Sequence, residues 1–193
     1  MEWMIKCVSK PDMAATREAT IAAHIEHLDK FKAETWYSGP MMVGDGSNAN
    51  GSFRVVDFPD HAAAKTYIDT DPYTTAKIFR RIDIEPLQPW TDMRQRDYAQ
   101  TDGRTQFIVI ARTDPLLPDR ASGDVSEFLA RHEARIVFAG ALLDDARADV
   151  AGALYVIDAD DRPDADAFLA DEPLSRGSEG RSLTIERWRF GHV

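Results

Sequence analysis

Alternating and helical patterns of apolar residues divide residues 1–90 into six elements. Four segments alternate between apolar and polar positions or are rich in β-branched and aromatic side chains, which predicts strands. These strands are expected at residues 2–9, 36–43, 52–58 and 79–87. Two segments, 13–35 and the stretch that begins at Pro59, carry apolar residues at helical spacing and are predicted to be helices. The predicted order is therefore β-α-β-β-α-β.

The second half of the chain repeats this order. Strands are predicted at residues 105–112, 137–143, 153–159 and 181–190, helices at 125–132 and from Pro163 to about Asp171, and a loop at 114–120. A constant shift of 101 pairs Gly39 with Gly140, Pro72 with Pro173 and Ile84 with Ile185, without a gap. A register that holds over this length predicts a tandem duplication.

The repeated pattern predicts an α+β fold class: two tandem ferredoxin-like βαββαβ units. Each unit would form a four-stranded antiparallel sheet with both helices on one face, so its other face needs a cover. We expect the two sheets to pack on each other as an α+β-barrel pseudo-dimer, with further homodimerisation left open. The expected domains are residues 1–90 and 104–193, joined by a linker at 91–103 that shows no period.

Charge and composition exclude several classes of partner. The net charge is −10, and acidic residues outnumber basic ones in both halves, which argues against binding to nucleic acid or to an anionic membrane surface. Cys7 is the single cysteine, so no intrachain disulfide is possible. No run of apolar residues reaches the length of a membrane span, and the start of the chain lacks the pattern of a secretion signal. These features predict a cytoplasmic protein that takes a small-molecule ligand.

One histidine lies in the apolar stripe of the first predicted helix. His24 shares a face with Ile21, Ile25 and Leu28, so it should point at the sheet. Asp71 precedes Pro72 at the end of the second helix, which lies beside the first on the same sheet face. A hydrogen bond between His24 and Asp71 would make the imidazole a general base near neutral pH. The alternative is a buried histidine tied to a structural carboxylate.

Several other residues have both a functional and a structural interpretation. Arg17 lies two helical turns before His24 and could bind an anionic or phenolate ligand, or form a surface ion pair. Tyr73 could line a pocket or pack in the core. His27 is expected at the edge of the apolar stripe, with no third ligand in view, so no metal site is predicted. His61 and His192 are expected at the solvated surface.

Motifs in the first half resemble the YCII-related family. The resemblance rests on Arg17 and His24 in the first helix, on Gly39-Pro40 after it, and on Asp71-Pro72-Tyr73 after the second helix; it covers about residues 1–90. It implies a ferredoxin-like fold that dimerises through its sheets. Ile21 and Ala22 stand where the family often has an arginine and a proline.

The family includes a dehydrochlorinase that acts on a hydroxylated, chlorinated aromatic through a histidine–aspartate pair. By this resemblance His24 and Asp71 are candidate catalytic residues, and no cofactor is expected. The candidate substrate-binding residues are Arg17, Tyr73, Gly39 and Pro40. The resulting hypothesis is a small cofactor-free, lyase-type enzyme acting on a hydroxylated aromatic or related compound. Its rivals are a non-catalytic ligand-binding or interaction module and a cofactor-free monooxygenase.

The second half departs from this pattern at the residues that would do chemistry. At the same shift His24 corresponds to Val125, Asp71 to Glu172, Tyr73 to Leu174 and Pro40 to Ala141. We therefore expect one competent site, in the first half, and a divergent second half that serves as a packing partner.

Overall fold

A computed structural model of the chain describes residues 1–117, 123–174 and 182–193, and these fall into two compact units. The first unit comprises Met1–Glu85 together with Arg189–Val193, and the second comprises Pro86–Trp188. Each unit follows the order β-α-β-β-α-β, so the predicted α+β class is confirmed. The domain boundaries predicted near residues 90 and 104 stay a prediction.

The first unit is a mixed α+β module built on an antiparallel sheet. Its elements are β1 (Glu2–Ser9), α1 (Ala14–Lys30), β2 (Thr35–Met42), β3 (Ala49–Asp57), α2 (His61–Asp69), the single turn α3 (Pro72–Thr75) and the first part of β4 (Phe79–Pro89). The strand order is β4-β1-β3-β2, with β3 antiparallel to both β1 and β2. The helix predicted over 13–35 ends earlier, because residues from Thr35 onward pair with β3.

The core of the first unit lies between this sheet and its helices. Inward residues of β1 and β3, among them Ile5, Cys7 and Val56, pack against Leu28 of α1 and Tyr67 of α2. This arrangement follows from period-two alternation on the strands and the apolar stripes on the helices. It places the ends of α1 and α2 close to α3, where the candidate site lies.

The second unit has the same order of strands and helices, and its strands β6 and β7 are almost fully buried. It contains β5 (Thr105–Leu117), α4 (Gly123–Arg131), β6 (Ile136–Leu143), β7 (Val150–Ala159), α5 (Arg162–Phe168), a turn of 3₁₀ helix (Leu169–Asp171) and β8 (Ser182–Trp188). The strand order is β8-β5-β7-β6, and Leu87–Pro89, the end of β4, pair with β6. A second 3₁₀ turn, Gln95–Asp97, lies in the predicted linker.

One loop prediction in this unit is wrong over part of its length. The segment 114–120 was expected to be a loop, but β5 continues to Leu117; residues 118–120 lie outside the described part of the chain. The ladder between β5 and β7 is irregular between Arg112 and Leu117, and such an irregularity lets a strand continue past a proline.

Equivalent backbone hydrogen bonds form within each unit, at positions that are 101 residues apart in the sequence. Asp57 N–H donates to Glu34 O at 2.8 Å, and Asp158 N–H donates to Arg135 O at 2.8 Å. The turns after β2 and β6 close in the same way, from Val43 N–H to Asn48 O and from Asp144 N–H to Asp149 O. The two units thus share local structure in register, while the duplication itself stays a prediction.

Among the described residues, no helix combines the length and apolar character that crossing a membrane requires.

Candidate active site

His24 and Asp71 meet in the first unit. Nδ1 of His24 lies 2.8 Å from Oδ1 of Asp71, and both side chains are buried. Asp71 has an extended backbone, as expected before a proline, and caps α3 by accepting a hydrogen bond from Tyr73 N–H at 2.8 Å. The structure therefore brings together the two residues that the sequence singled out.

Arg54, which the sequence analysis did not single out, holds the other oxygen of this carboxylate. Its Nη2 donates to Asp71 Oδ2 at 2.7 Å, and the arginine is 1% exposed. The sequence signal was weak: Arg54 shares a strand face with Val56, which belongs to the core beneath the helices, but both faces of this strand carry apolar residues. An arginine at such a position needs a buried partner.

The aromatic ring of Tyr73 supports both His24 and Arg17. The imidazole stacks on it with 3.9 Å between ring centroids and 13° between planes. The Arg17 guanidinium carbon lies 4.6 Å from the centroid of the same ring, at cation–π distance. Tyr73 therefore fixes the orientation of the histidine and the position of a cation beside it.

Arg17 is buried without a carboxylate partner among the described residues. Its Nη1 and Nη2 donate to the hydroxyls of Ser9 and Ser52, each at 3.3 Å. Two long hydrogen bonds to neutral groups leave most of its charge uncompensated, and burial lowers the pKa of this arginine. This environment differs from the surface ion pair that was the alternative, and it suits a site that receives an anion.

Opposing effects set the protonation of the pair. Burial alone would raise the pKa of Asp71, but the charge of Arg54 and the hydrogen bonds from His24 and Tyr73 N–H lower it to about 2. Burial lowers the pKa of His24 more than its hydrogen bond to Asp71 raises it. At neutral pH, Asp71 is therefore ionised and His24 is neutral.

These charge states fix the tautomer of His24. An ionised carboxylate only accepts hydrogen bonds, so Nδ1 of the neutral imidazole must carry the proton that it donates to Asp71. The other ring nitrogen, Nε2, then has a free lone pair. A neutral imidazole with this tautomer can accept a proton from a ligand hydroxyl.

A cavity of about 260 Å³ lies beside His24 within the first unit. Its walls come from α1, β2, β3, α3 and the C-terminal segment. They include all four candidate substrate-binding residues: Arg17, Gly39, Pro40 and Tyr73. Ile21 borders this cavity and is 48% exposed, so its predicted burial against the sheet is wrong. The cavity lies where the sheet was expected to pack against this side chain.

One other histidine differs from expectation: His27 is buried rather than at the edge of the stripe, and its ring packs against Phe31 and Tyr67. His192 is exposed, as expected, and it also contacts Asp29 at 2.6 Å and lines the cavity. Within the described ranges, no cluster of three or more histidine, cysteine or acidic side chains is arranged to hold a metal ion.

The second unit carries a different arrangement at the corresponding positions. Glu172 is buried and accepts hydrogen bonds from Tyr155 Oη at 2.8 Å and from Leu174 N–H at 3.2 Å. Tyr155 corresponds to Arg54 at the shift of 101. Val125 and Leu174, which stand where His24 and Tyr73 would be, belong to an apolar core.

Residues 1–88 match the YCII-related domain family, which confirms the resemblance found in the sequence. No curated protein matches the chain.

The chain is also similar to several solved structures. One is 5-chloro-2-hydroxyhydroquinone dehydrochlorinase from Burkholderia phenoliruptrix in complex with 2,5-dihydroxybenzoquinone, at 24% identity over 51% of this chain and 100% of that chain, with a TM-score of 0.43. An anthrone oxidase-like protein is 11% identical over 99% of this chain and 91% of that chain, with a TM-score of 0.52. A mutant chlorite dismutase from Candidatus Nitrospira defluvii is 9% identical over 97% and 91%, with a TM-score of 0.59. The latter two, each under 25% identical, show the fold alone, and the first, with a TM-score under 0.5, adds no support for a shared fold or activity.

Proposed function

We propose, from the premise that residues 1–88 form a YCII-related domain, that the first unit is a cofactor-free, lyase-type enzyme for a small hydroxylated aromatic. The observation that carries the proposal is the 2.8 Å contact between His24 Nδ1 and Asp71 Oδ1 beside a cavity. This contact leaves Nε2 of His24 as the proton acceptor. In this role His24 is the general base, and Asp71 orients it.

The cavity suits an aromatic ring that carries an acidic hydroxyl. Ile21, Ile25 and Pro40 supply apolar wall, and Arg17 supplies a buried cation. Binding the phenolate near Arg17 lowers the free energy of the deprotonated ring, because opposite charges attract strongly where water is largely excluded. Arg17 would therefore favour the product of proton transfer to His24.

The reaction proposed is loss of HCl from a chlorinated, polyhydroxylated ring. Two hydroxyl protons leave the ring oxygens, one proton is returned to the carbon that carries chlorine, and chloride departs with the electrons of its bond. The products are a quinone, one proton and one chloride ion, so neither an oxidant nor a reductant is consumed. His24 can take the first proton and deliver it to carbon, while Asp71 stabilises the imidazolium that forms between these steps.

Arg54 has a positioning role in this proposal. It neutralises the Asp71 carboxylate on the side away from the histidine, which keeps Asp71 ionised through the proton transfer. The aspartate therefore stays a hydrogen-bond acceptor and does not itself become the base.

The experiment is to follow chloride release from chlorinated hydroquinones and hydroxyhydroquinones with the wild-type chain and with His24→Gln. Gln keeps a polar side chain of similar size but cannot accept a proton, so kcat/KM should fall by about 10²–10⁴. His61→Gln, in an exposed histidine outside the cavity, is the matched control and should retain wild-type activity.

Other outcomes would favour the rival functions. Binding of these compounds without chloride release, unchanged in His24→Gln, would support a ligand-binding module. Oxygen consumption with an unchlorinated hydroquinone would support a monooxygenase. If His24→Gln is unfolded to an extent that accounts for its loss of activity, the histidine belongs among the structural residues.

A further inference from the structure

The last five residues of the chain belong to the first unit, although the sequence before them belongs to the second. Arg189–Val193 follow β8 directly, and Arg189 N–H donates to Pro40 O at 3.2 Å while Gly191 N–H donates to Ser38 O at 2.9 Å. Hydrogen bonds from alternate residues are the pattern of a strand, so this C-terminal segment pairs with β2.

The far end of the C-terminal segment is attached to α1. Nε2 of His192 lies 2.6 Å from Oδ1 of Asp29, a residue one to two turns beyond His24 on the same helix. The segment therefore joins β2 to α1. These two elements supply Gly39, Pro40, Ile21 and Ile25 to the lining of the cavity, so the segment joins two of its walls.

The bridge requires a close backbone approach. A Cβ atom at Gly191 would lie 2.8 Å from Gly39 Cα and 3.1 Å from Ser38 O, distances that ordinary side chains do not tolerate. The glycine of the Gly39-Pro40 pair thus lies where the C-terminal segment meets β2. This contact explains why position 191 requires a glycine.

We propose that the C-terminal segment forms a wall of the active site and determines its specificity. Phe190 supplies an apolar surface for the ligand ring, and Arg189 adds a second cation to the lining of the cavity. This inference rests on the proposed function only for the class of ligand, a hydroxylated aromatic anion. The match to the YCII-related domain ends at residue 88, so this wall is supplied by sequence outside that domain.

The wall can be tested without any ligand. Diethyl pyrocarbonate modifies neutral imidazoles that it can reach, and mass spectrometry reports the rate at each histidine. Deleting Arg189–Val193 should raise the rate at His24 several-fold and leave the rate at exposed His61 unchanged. An unchanged rate at His24 in the deleted chain, with wild-type circular dichroism, would overturn the proposal.

Single substitutions test the same wall if the deletion impairs folding. Gly191→Val should lift the segment from β2, and His192→Ala should release it from α1, so each should raise the modification rate at His24. Val193→Ala is the matched control, because Val193 does not line the cavity. Equal rates at His24 in all four chains, including the wild type, would contradict the wall.

Specificity is tested with 4-nitrocatechol, a coloured hydroxylated aromatic whose absorbance reports binding and ionisation. Phe190→Ala should raise its Kd about tenfold, as expected for loss of a ring contact, and Val193→Ala should leave it unchanged. Equal Kd values for Phe190→Ala and the wild type would overturn the assignment of Phe190. If the wild-type chain does not bind 4-nitrocatechol while deletion still speeds modification of His24, the ligand class is wrong and the wall stands.

Discussion

Arg54 Nη2 lies 2.7 Å from Asp71 Oδ2, so a buried cation holds the carboxylate that holds His24. Neither Arg54 nor Asp71 is more than 1% exposed. Removing one partner of a buried ion pair leaves the other charge unpaired in an interior that solvates it poorly. The candidate site and the stability of the first unit therefore depend on the same contact.

Replacing Arg54 by Met should lower the free energy of unfolding by about 3–5 kcal/mol, because Asp71 would keep a buried charge without its main partner. Urea denaturation measures this loss. Arg80→Met removes an exposed arginine from β4 and should change stability by less than about 0.5 kcal/mol. Equal stability of the Arg54→Met and wild-type chains would show that the ion pair contributes nothing.

The protonation of His24 should make both activity and stability depend on pH. Burial lowers the pKa of His24 below its ordinary value of 6.5, so between the two values the unfolded chain binds more protons than the folded one. Stability therefore rises with pH across this interval, and this contribution is complete above 6.5. Activity should follow the neutral imidazole and fall only below pH 6.5.

Proton NMR of the imidazole checks this prediction, together with urea denaturation at about pH 5 and about pH 7. His24→Gln should show a smaller difference in stability between these conditions than the wild type. The difference should not vanish, because burial also lowers the pKa of His27. A His24 signal that titrates above 6.5 would be the opposite of what we expect.

The ring of Tyr73, rather than its hydroxyl, should matter most to the site. Tyr73→Phe keeps the surface on which His24 and Arg17 rest, whereas Tyr73→Leu removes both contacts. We expect Tyr73→Leu to cost roughly 1–2 kcal/mol of stability and to lower kcat more than Tyr73→Phe does. Similar kinetics for the two variants would indicate that the stack does not position His24.

Two glycines at corresponding positions should be sensitive to a single methyl group. A Cβ at Gly51 would overlap Cys7 O, and one at Gly152 would overlap Ala111 O. Each Gly→Ala change should cost about 1–3 kcal/mol through this overlap. Gly44→Ala is the control, because an added Cβ there would have no atom within 4 Å apart from its chain neighbours. This change should leave the melting temperature nearly unchanged in thermal denaturation.

Tyr155→Phe should lower the stability of the protein without changing its activity. The change removes the hydroxyl that donates to buried Glu172, which should cost about 1–3 kcal/mol because the acceptor loses a partner. The second unit has no histidine at the position of Val125, so the activity of the folded protein should not change. Loss of chloride release at unchanged stability would place a functional residue in the second unit.

The sequence predicted the parts of the site that follow from local pattern. His24 could be placed on an inward helix face by its spacing from Ile25 and Leu28, and Asp71 could be placed at a helix end by the proline after it. Two such positions on neighbouring helices are close in a βαββαβ unit. Their contact could therefore be predicted before the structure was known.

Other parts of the site depend on packing that no short pattern records. Arg54 lies in a strand that is buried along most of its length, so alternation between apolar and polar residues was a poor guide to its direction. The role of Arg189–His192 depends on pairing with a strand about 150 residues earlier in the sequence. The alternation that predicts a strand at 181–190 includes Arg189 and Phe190, but it does not tell which strand they pair with.

The backbone cap formed by Asp71 has a consequence for recognising active relatives. Glu172 accepts the equivalent hydrogen bond from Leu174 N–H in the second unit, where Val125 stands at the position of His24, so an acid at this place caps the backbone whether or not the histidine is present. In a search for working catalysts among similar chains, that acid would be a misleading marker, since a unit without the histidine carries it too. Under the proposed function, the informative marker is the imidazole at position 24, whatever acid a chain retains.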